Sequence, residues 1–473
     1  MEALPNDILA EVFVRLRARN NAALVCRKWY EVDRRLRMQL LTGCGLSPPE
    51  PALAALCSRF CNLTTVGISY AGWSSDMGKQ VDDESLRILS VNCRNLSDLS
   101  LNFCTFITDV GMTNLTHYCQ QLRAVRLNFT PCVSGRGLLS LVSGCYTLSL
   151  LHINRLMFVR VLEWLEFIGN NRRIESLAIR NCKGVGEFEL ARLGFRGWQN
   201  LREFFYEVDV VHRPTGDFFG HNGRGASLLN AWRFPASHGA ECCPNMEVLS
   251  LTNCLSMSGT GTAWLLSQCK GLRVLQVDTC VGVQDRDLLV LAQNSSQISS
   301  ISLRVPCHVP TSDAPPMLTD AALLAIAHHC HFLETMRLSF AHGDFFPSFT
   351  GAGIVAIVER CTRLRVLSLD RAYPFTDSTM LAVCQSESLE SLELINCHEV
   401  TDEGLKLVAG SNLTELKVCR CFGLTEAWLT PLRASKTLAL LNVEDCPEIS
   451  QEAILGAADV VSYKCAYPWN YMD

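Results

Sequence analysis

The stretch Cys93–Cys119, CRNLSDLSLNFCTFITDVGMTNLTHYC, decides how the chain is read, because it begins and ends on the same signal and the next stretch starts over. Leu96, Leu99 and Leu101 give the spacing L-x-x-L-x-L, whose last pair alternates apolar and polar as a half-buried strand does. Cys104 follows, then the pair Thr108-Asp109, then Gly111 to Tyr118 with apolar residues at helical spacing. Thr108 is placed to cap that helix by accepting a backbone N–H, and Asp109 suits the positive end of its dipole. The unit is one strand, one turn and one helix, and its length falls among the periods of roughly 20 to 29 residues that some repeat arrays use.

Outward from this unit, the same register recurs. Aligned on the first apolar residue of each strand, the anchors are Leu63, Leu96, Leu122, Leu148, Ile174, Leu201, Met246, Leu272, Ile298, Leu333, Leu364, Leu389, Leu413 and Leu438. Helix starts recur as well: Thr319-Asp320, Thr376-Asp377, Thr401-Asp402 and Thr425-Glu426 each supply a cap and an acid in the first turn. Strand signature and period together are those of leucine-rich repeats. They predict an α/β fold, a right-handed solenoid of about 14 strand-helix repeats over residues 60–456, with a parallel sheet on its concave face. Residues 457–473, which end in YPWNYMD, read as a C-terminal cap on the open end.

Composition agrees. The 473 residues are 48% hydrophobic and 19% charged, spread evenly rather than in contrasting blocks, which suits a solenoid better than several unlike globules. A net charge of −5 argues against a bulk affinity for nucleic acid or an anionic membrane. There is no apolar run of about 18 residues, and the N-terminus, MEALPNDILAEVF, carries acids where a leader carries bases. The expectation is a soluble protein of the nucleus, the cytoplasm or both. Of the 24 cysteines, seven precede a strand anchor by three residues and seven others follow it by eight. Thiols at two fixed register positions read as small buried hydrophobes, not as a disulfide framework.

Residues 1–45 stand outside the repeat. Leu4, Ile8, Leu9, Val12, Phe13 and Leu16 share one helical face with Pro5 near its start, and a second run, ALVCRKWYEVDR at Ala23–Arg34, carries Trp29 and Tyr30. A module of about 40 residues has too little interior for all these groups, so part of its apolar surface should meet something else. The pattern L-P-x-x-[IL]-L-x-E-[VI]-F-x-x-L at Leu4–Leu16, followed by L-V-C-[RK]-x-W at Leu24–Trp29, resembles an F-box. With the C-terminal repeats, the whole chain is similar to the F-box/leucine-rich-repeat substrate receptors of SCF ubiquitin ligases. The run WYEVDR is especially close to the plant auxin and jasmonate receptor branch.

That resemblance implies docking to a Skp-type adaptor and, through it, to a cullin and a RING subunit, with Leu4, Pro5, Ile8, Leu9, Val12, Phe13, Leu24, Val25 and Trp29 contacting or shaping the adaptor surface. It implies a protein substrate held by the repeats and no catalytic residue in this chain. The alternatives are a small-molecule co-receptor of the same architecture and an interaction scaffold with no ligase role. Residues 46–59, with Pro48-Pro49, read as a linker.

Four anchor intervals are long: Leu63 to Leu96 (33), Leu201 to Met246 (45), Ile298 to Leu333 (35) and Leu333 to Leu364 (31). Insertions on one face of a repeat array are often the binding face. Loops 208–242, 305–317 and 341–349 are therefore the candidate recognition site, with Phe218, Phe219, His221, Arg224, Trp232, Phe345, Phe346 and Phe349 as its aromatic and charged residues. On the concave side, strand alternation places Arg126, Arg180, Arg304, Arg337 and Lys417. By resemblance to the hormone receptors, these form the candidate anion site, for an inositol phosphate. His328, His329, Cys330 and His331 are not read as a metal site, because Cys330 already holds a register position and its neighbours point apart. The glycine pairs Gly259-x-Gly261 and Gly351-x-Gly353 lack the rest of a phosphate-binding fingerprint.

Overall fold

The computed structural model describes residues 5–15, 23–44, 46, 48–71, 80–186, 189–208, 243–254, 261–280, 283–305, 318–340, 350–434 and 437–465. The chain divides into two compact units, Met1–Glu203 and Phe204–Asp473. The first opens with helices α1 (Asn6–Arg15) and α2 (Arg27–Leu36). Strand β1 (Gln39–Gly43) and helix α3 (Pro49–Arg59) follow, then strands β2 (Thr65–Ser69), β3 (Asp98–Asn102), β4 (Ala124–Asn128), β5 (Leu150–Asn154) and β6 (Ser176–Arg180). Each pairs in parallel with the next. β7 (Glu203–Glu207) begins on the last residue of this unit.

The second unit carries β8 (Val248–Thr252), β9 (Val274–Asp278), β10 (Ser300–Val305), β11 (Thr335–Phe340), β12 (Val366–Asp370), β13 (Ser391–Ile395), β14 (Glu415–Cys419), β15 (Leu440–Glu444) and β16 (Val460–Lys464). These too are parallel and follow chain order. The α/β repeat solenoid expected from Cys93–Cys119 is what forms.

The unit's own logic is visible in one coil. Leu96, Leu99 and Leu101 are fully buried, and the helix Asp109–Tyr118 buries Met112 and Leu115 on the same side. Cys119 is the C-cap of that helix, its N–H reaching Leu115 O at 2.7 Å, so the pre-strand cysteine closes the helix and turns the chain into the next strand. After the strand, Phe103 takes φ 56° and donates its N–H to Asn128 O of the next coil at 2.9 Å. The same left-handed step recurs at Phe129, Asn253, Asn396 and Arg420, among others. Where a cysteine follows, the step aims it inward: Cys104 is fully buried, its thiol 3.8 Å from Ile68 O, and Cys397 and Cys421 repeat the contact with Leu369 O and Leu394 O at 3.6 and 3.7 Å. All described cysteines are free thiols.

Two boundaries differ from the sequence expectation. The fourteen anchors correspond to β2–β15, whereas sixteen strands are present among the described residues. The extra two are the first and the last. Residues 46–59 are not a plain linker: α3 fills most of them, and β1 lies inside the segment assigned to the F-box, paired with β2. At the other end β16 adds a strand within the expected cap. A terminal coil has a neighbour on one side only, so its leucine pattern decays: β1 buries only Leu40 and Gly43, and β16 buries none of its five residues.

Candidate functional site

The N-terminal helices build a small core of their own. Leu9, Phe13 and Val32 are buried together, with Trp29 and Leu36 packed against them, and the rings of Phe13 and Trp29 meet edge to face at 5.5 Å. The residues expected to form the adaptor surface therefore separate into two sets. Leu9 and Phe13 hold the two helices together, helped by Trp29. Ile8 (50% exposed), Leu24 (80%) and Val25 (48%) face solvent, as does Pro5, and Val12 is half-buried. Leu4 lies outside the described residues. Among the described residues, three large aliphatic side chains exposed beside the Leu9–Phe13–Val32 core make a candidate surface for another molecule.

Residues 209–242, 306–317 and 341–349 are outside the described residues, and with them lie Phe218, Phe219, His221, Arg224, Trp232, Phe345, Phe346 and Phe349.

The cations expected on the sheet's open face are described. In the first unit, Arg126 Nη1 holds both oxygens of Asp98 at 2.9 and 3.0 Å, one strand away. In the second, Arg304 lies 3.7 Å from Asp278 and donates to Ser339, whose hydroxyl donates to Asp370 at 2.8 Å. Lys417 lies 2.9 Å from Glu393, which also accepts from Ser368 at 2.7 Å. Burial pushes the Glu393 carboxyl upward, but Ser368 and Lys417 outweigh it and hold the group below its ordinary range. Arg126, Arg304 and Lys417 thus each face a carboxylate of the same sheet; Arg180 stands on β6 and Arg337 on β11. An anion would have to compete with those internal partners.

One polar row in the first unit was not anticipated. His152 Nε2 is 2.9 Å from Ser176 Oγ, which donates to Glu203 Oε2 at 2.7 Å. Since the serine proton goes to Glu203, the imidazole donates to the serine oxygen. Burial first, then the nearby Arg126 and Arg180, lower the His152 pKa to about 4, so the ring is neutral near pH 7. The order is opposite to that of a nucleophile triad, in which histidine takes the serine proton. Its residues lie on three successive coils, 24 and 27 positions apart in sequence, and no local motif announces them. Among the described residues no group of three or more histidines, cysteines or acids could hold a metal ion. No described helix is long and apolar enough to cross a membrane.

Residues 1–37 match the F-box-like family model. Among curated proteins, F-box protein SKIP1 of Arabidopsis thaliana is 23% identical over 176 residues, a match that spans 35% of this chain and 57% of that protein. Among solved structures, one from the crystal structure of the Rad7 and Elc1 complex in yeast superposes with a TM-score of 0.51 at 15% identity, covering 94% of both chains. A chain from the TLR13–ssRNA13 complex gives a TM-score of 0.45 at 15% identity, covering 89% of this chain and 54% of that one. An F-box-like domain at the N-terminus followed by a strand-helix repeat solenoid is thus the class to which fold and sequence point.

Proposed function

We propose that this chain is the substrate-recognition subunit of an SCF-type ubiquitin ligase. Its F-box-like helices dock on a Skp-type adaptor, which joins it to a cullin and a RING subunit, and its repeats hold a target protein. The observation that carries this reading is the exposure of Ile8 on α1 and of Leu24 and Val25 just ahead of α2, away from the core of Leu9, Phe13 and Val32, within the segment that matches the F-box-like model. Catalysis belongs to the partners. The chain supplies proximity, raising the concentration of target lysines around the charged conjugating enzyme.

The target site is assigned to the long insertions at 208–242, 305–317 and 341–349, where the repeat register breaks. Two experiments test the two halves separately. Full-length protein should recover a Skp-type adaptor in a pull-down, and Leu4→Ala with Pro5→Ala should lose it; no recovery by the native chain would overturn the ligase role. Replacing Val211–Ser237 by a four-residue linker should abolish target capture while leaving adaptor recovery intact, and unchanged capture would remove the loop from the site.

A further inference from the structure

Helix α2 has two working faces. Trp29, Val32 and Leu36 pack toward α1, at the three- and four-residue spacing of one helical stripe. Tyr30, Asp33, Arg34 and Arg37 form a second stripe, and it meets the first coil of the repeat array. Asp33 is the centre of that contact, with no exposed surface. Arg37 grips it through Nε at 3.1 Å and Nη2 at 3.0 Å to both oxygens, and Arg59, at the end of α3, adds Nη2 at 3.5 Å. The Arg59 guanidinium lies 4.1 Å from the centre of the Tyr30 ring and 4.7 Å from that of Phe60, and Arg37 also faces Phe60 at 4.8 Å. Two backbone carbonyls complete the seam: Arg34 Nε donates to Arg59 O at 3.1 Å, and Asn62 Nδ2 to Arg35 O at 2.8 Å.

A carboxylate removed from water is tolerated only when its charge is met by well-placed donors. A planar, forked guanidinium fixes direction as well as distance, unlike an apolar contact that could slide. We infer that Asp33, with Arg37 and Arg59, is a positioning element that locks the F-box-like helices onto the first coil, so that a docked adaptor and the repeats keep one orientation during ubiquitin transfer. The inference rests on the ligase reading for its consequence but on geometry alone for the lock. It also accounts for the absence of a free linker at 46–59: α2 leads straight into β1, and α3 returns Arg59 to the same carboxylate.

The test uses the full chain, with nitroxides coupled to p-acetylphenylalanine at the exposed positions Glu11 and Gln120, because 24 native cysteines preclude thiol labels. Pulsed dipolar resonance should give one narrow distance for the native chain, and Asp33→Asn should broaden it by about twofold or more. Arg59→Gln is the second variant should the first fail to fold by circular dichroism; it leaves the Arg37 pair and the α1–α2 core in place. In the reconstituted ligase, adaptor affinity should stay within about twofold, while the share of ubiquitin on at least one of the chain's eight lysines should shift by about threefold or more. An unchanged distance width, an unchanged ubiquitin pattern, or a loss of adaptor binding with Asp33→Asn would each overturn the positioning role. Failure of the native chain to bind any adaptor would instead overturn the ligase reading, with the distance measurement still valid.

Discussion

Asp377 shows how much one side chain does between coils. Its carboxylate accepts the N–H of Thr401 at 2.9 Å and the Thr401 hydroxyl at 2.6 Å, and that hydroxyl in turn accepts the N–H of Glu403 at 3.2 Å. The acid read from sequence as complementing its own helix dipole is thus also the receptor for the next coil's cap. Asp83, Asp109, Asp320 and Asp402 repeat the arrangement with Thr108, Ser134, Thr350 and Thr425. Glycine two residues past the acid position makes room for it. A Cβ on Gly404 would stand 2.3 Å from Asp377 Oδ1, and one on Gly353 2.8 Å from Asp320 Oδ1, which explains the glycine of the Gly351-x-Gly353 pair that no phosphate motif accounted for. Thr376 corrects the expected caps: its side chain makes no capping bond and pairs with Ser378 instead, and the preceding coil offers it Gly351 where the five coils just named offer an aspartate. Asp377→Ala and Gly404→Ala should each lower the unfolding free energy by about 1–3 kcal/mol, read from urea titration. A change below about 0.5 kcal/mol in both would show that the rungs contribute nothing.

At the scale of the element, the repeat was legible because it repeats: strand leucines, helix caps and two cysteine registers each gave an independent alignment. What stayed hidden involved partners a coil or more away. The His152–Ser176–Glu203 row and the Asp33 seam join residues about 24 to 27 positions apart, with no periodic signal of their own. The terminal strands β1 and β16 were missed for the opposite reason, having lost the leucine pattern that located the others. The cysteine registers carry a chemical consequence. Burial drives the thiols of Cys104, Cys119 and Cys145 up to about 12, whereas Cys44, Cys61 and Cys132 are exposed. At pH 8 a thiol so shifted holds about a thousandth or less of the thiolate of a free one. Native protein treated with N-ethylmaleimide should therefore label first at Cys44, Cys61 and Cys132, and at the register cysteines only after unfolding. Early labelling of Cys104 or Cys119, seen by peptide mass spectrometry, would mean that the coil core opens far more readily than its packing implies.

At the scale of the molecule, regular coils supply a frame and the departures from register supply the candidate sites. The N-terminal helices depart first: they pack on each other around Leu9 and Phe13 and leave Ile8, Leu24 and Val25 exposed. The long insertions depart second, in residues whose composition marks them but whose arrangement lies outside the described structure. Because Leu24 is 80% exposed and Val25 about half exposed, with neither in the Leu9–Phe13–Val32 core, changing them should leave the fold standing and act chiefly on the partner. The most direct measurement is the affinity of the full chain for a Skp-type adaptor by isothermal titration calorimetry, with and without Leu24→Asp and Val25→Asp. The double variant should melt within about 2 °C of the native chain and bind about a hundredfold or more weaker, a loss of about 3 kcal/mol. Equal affinity of the variant and the native chain, or no measurable binding by either, would contradict the account.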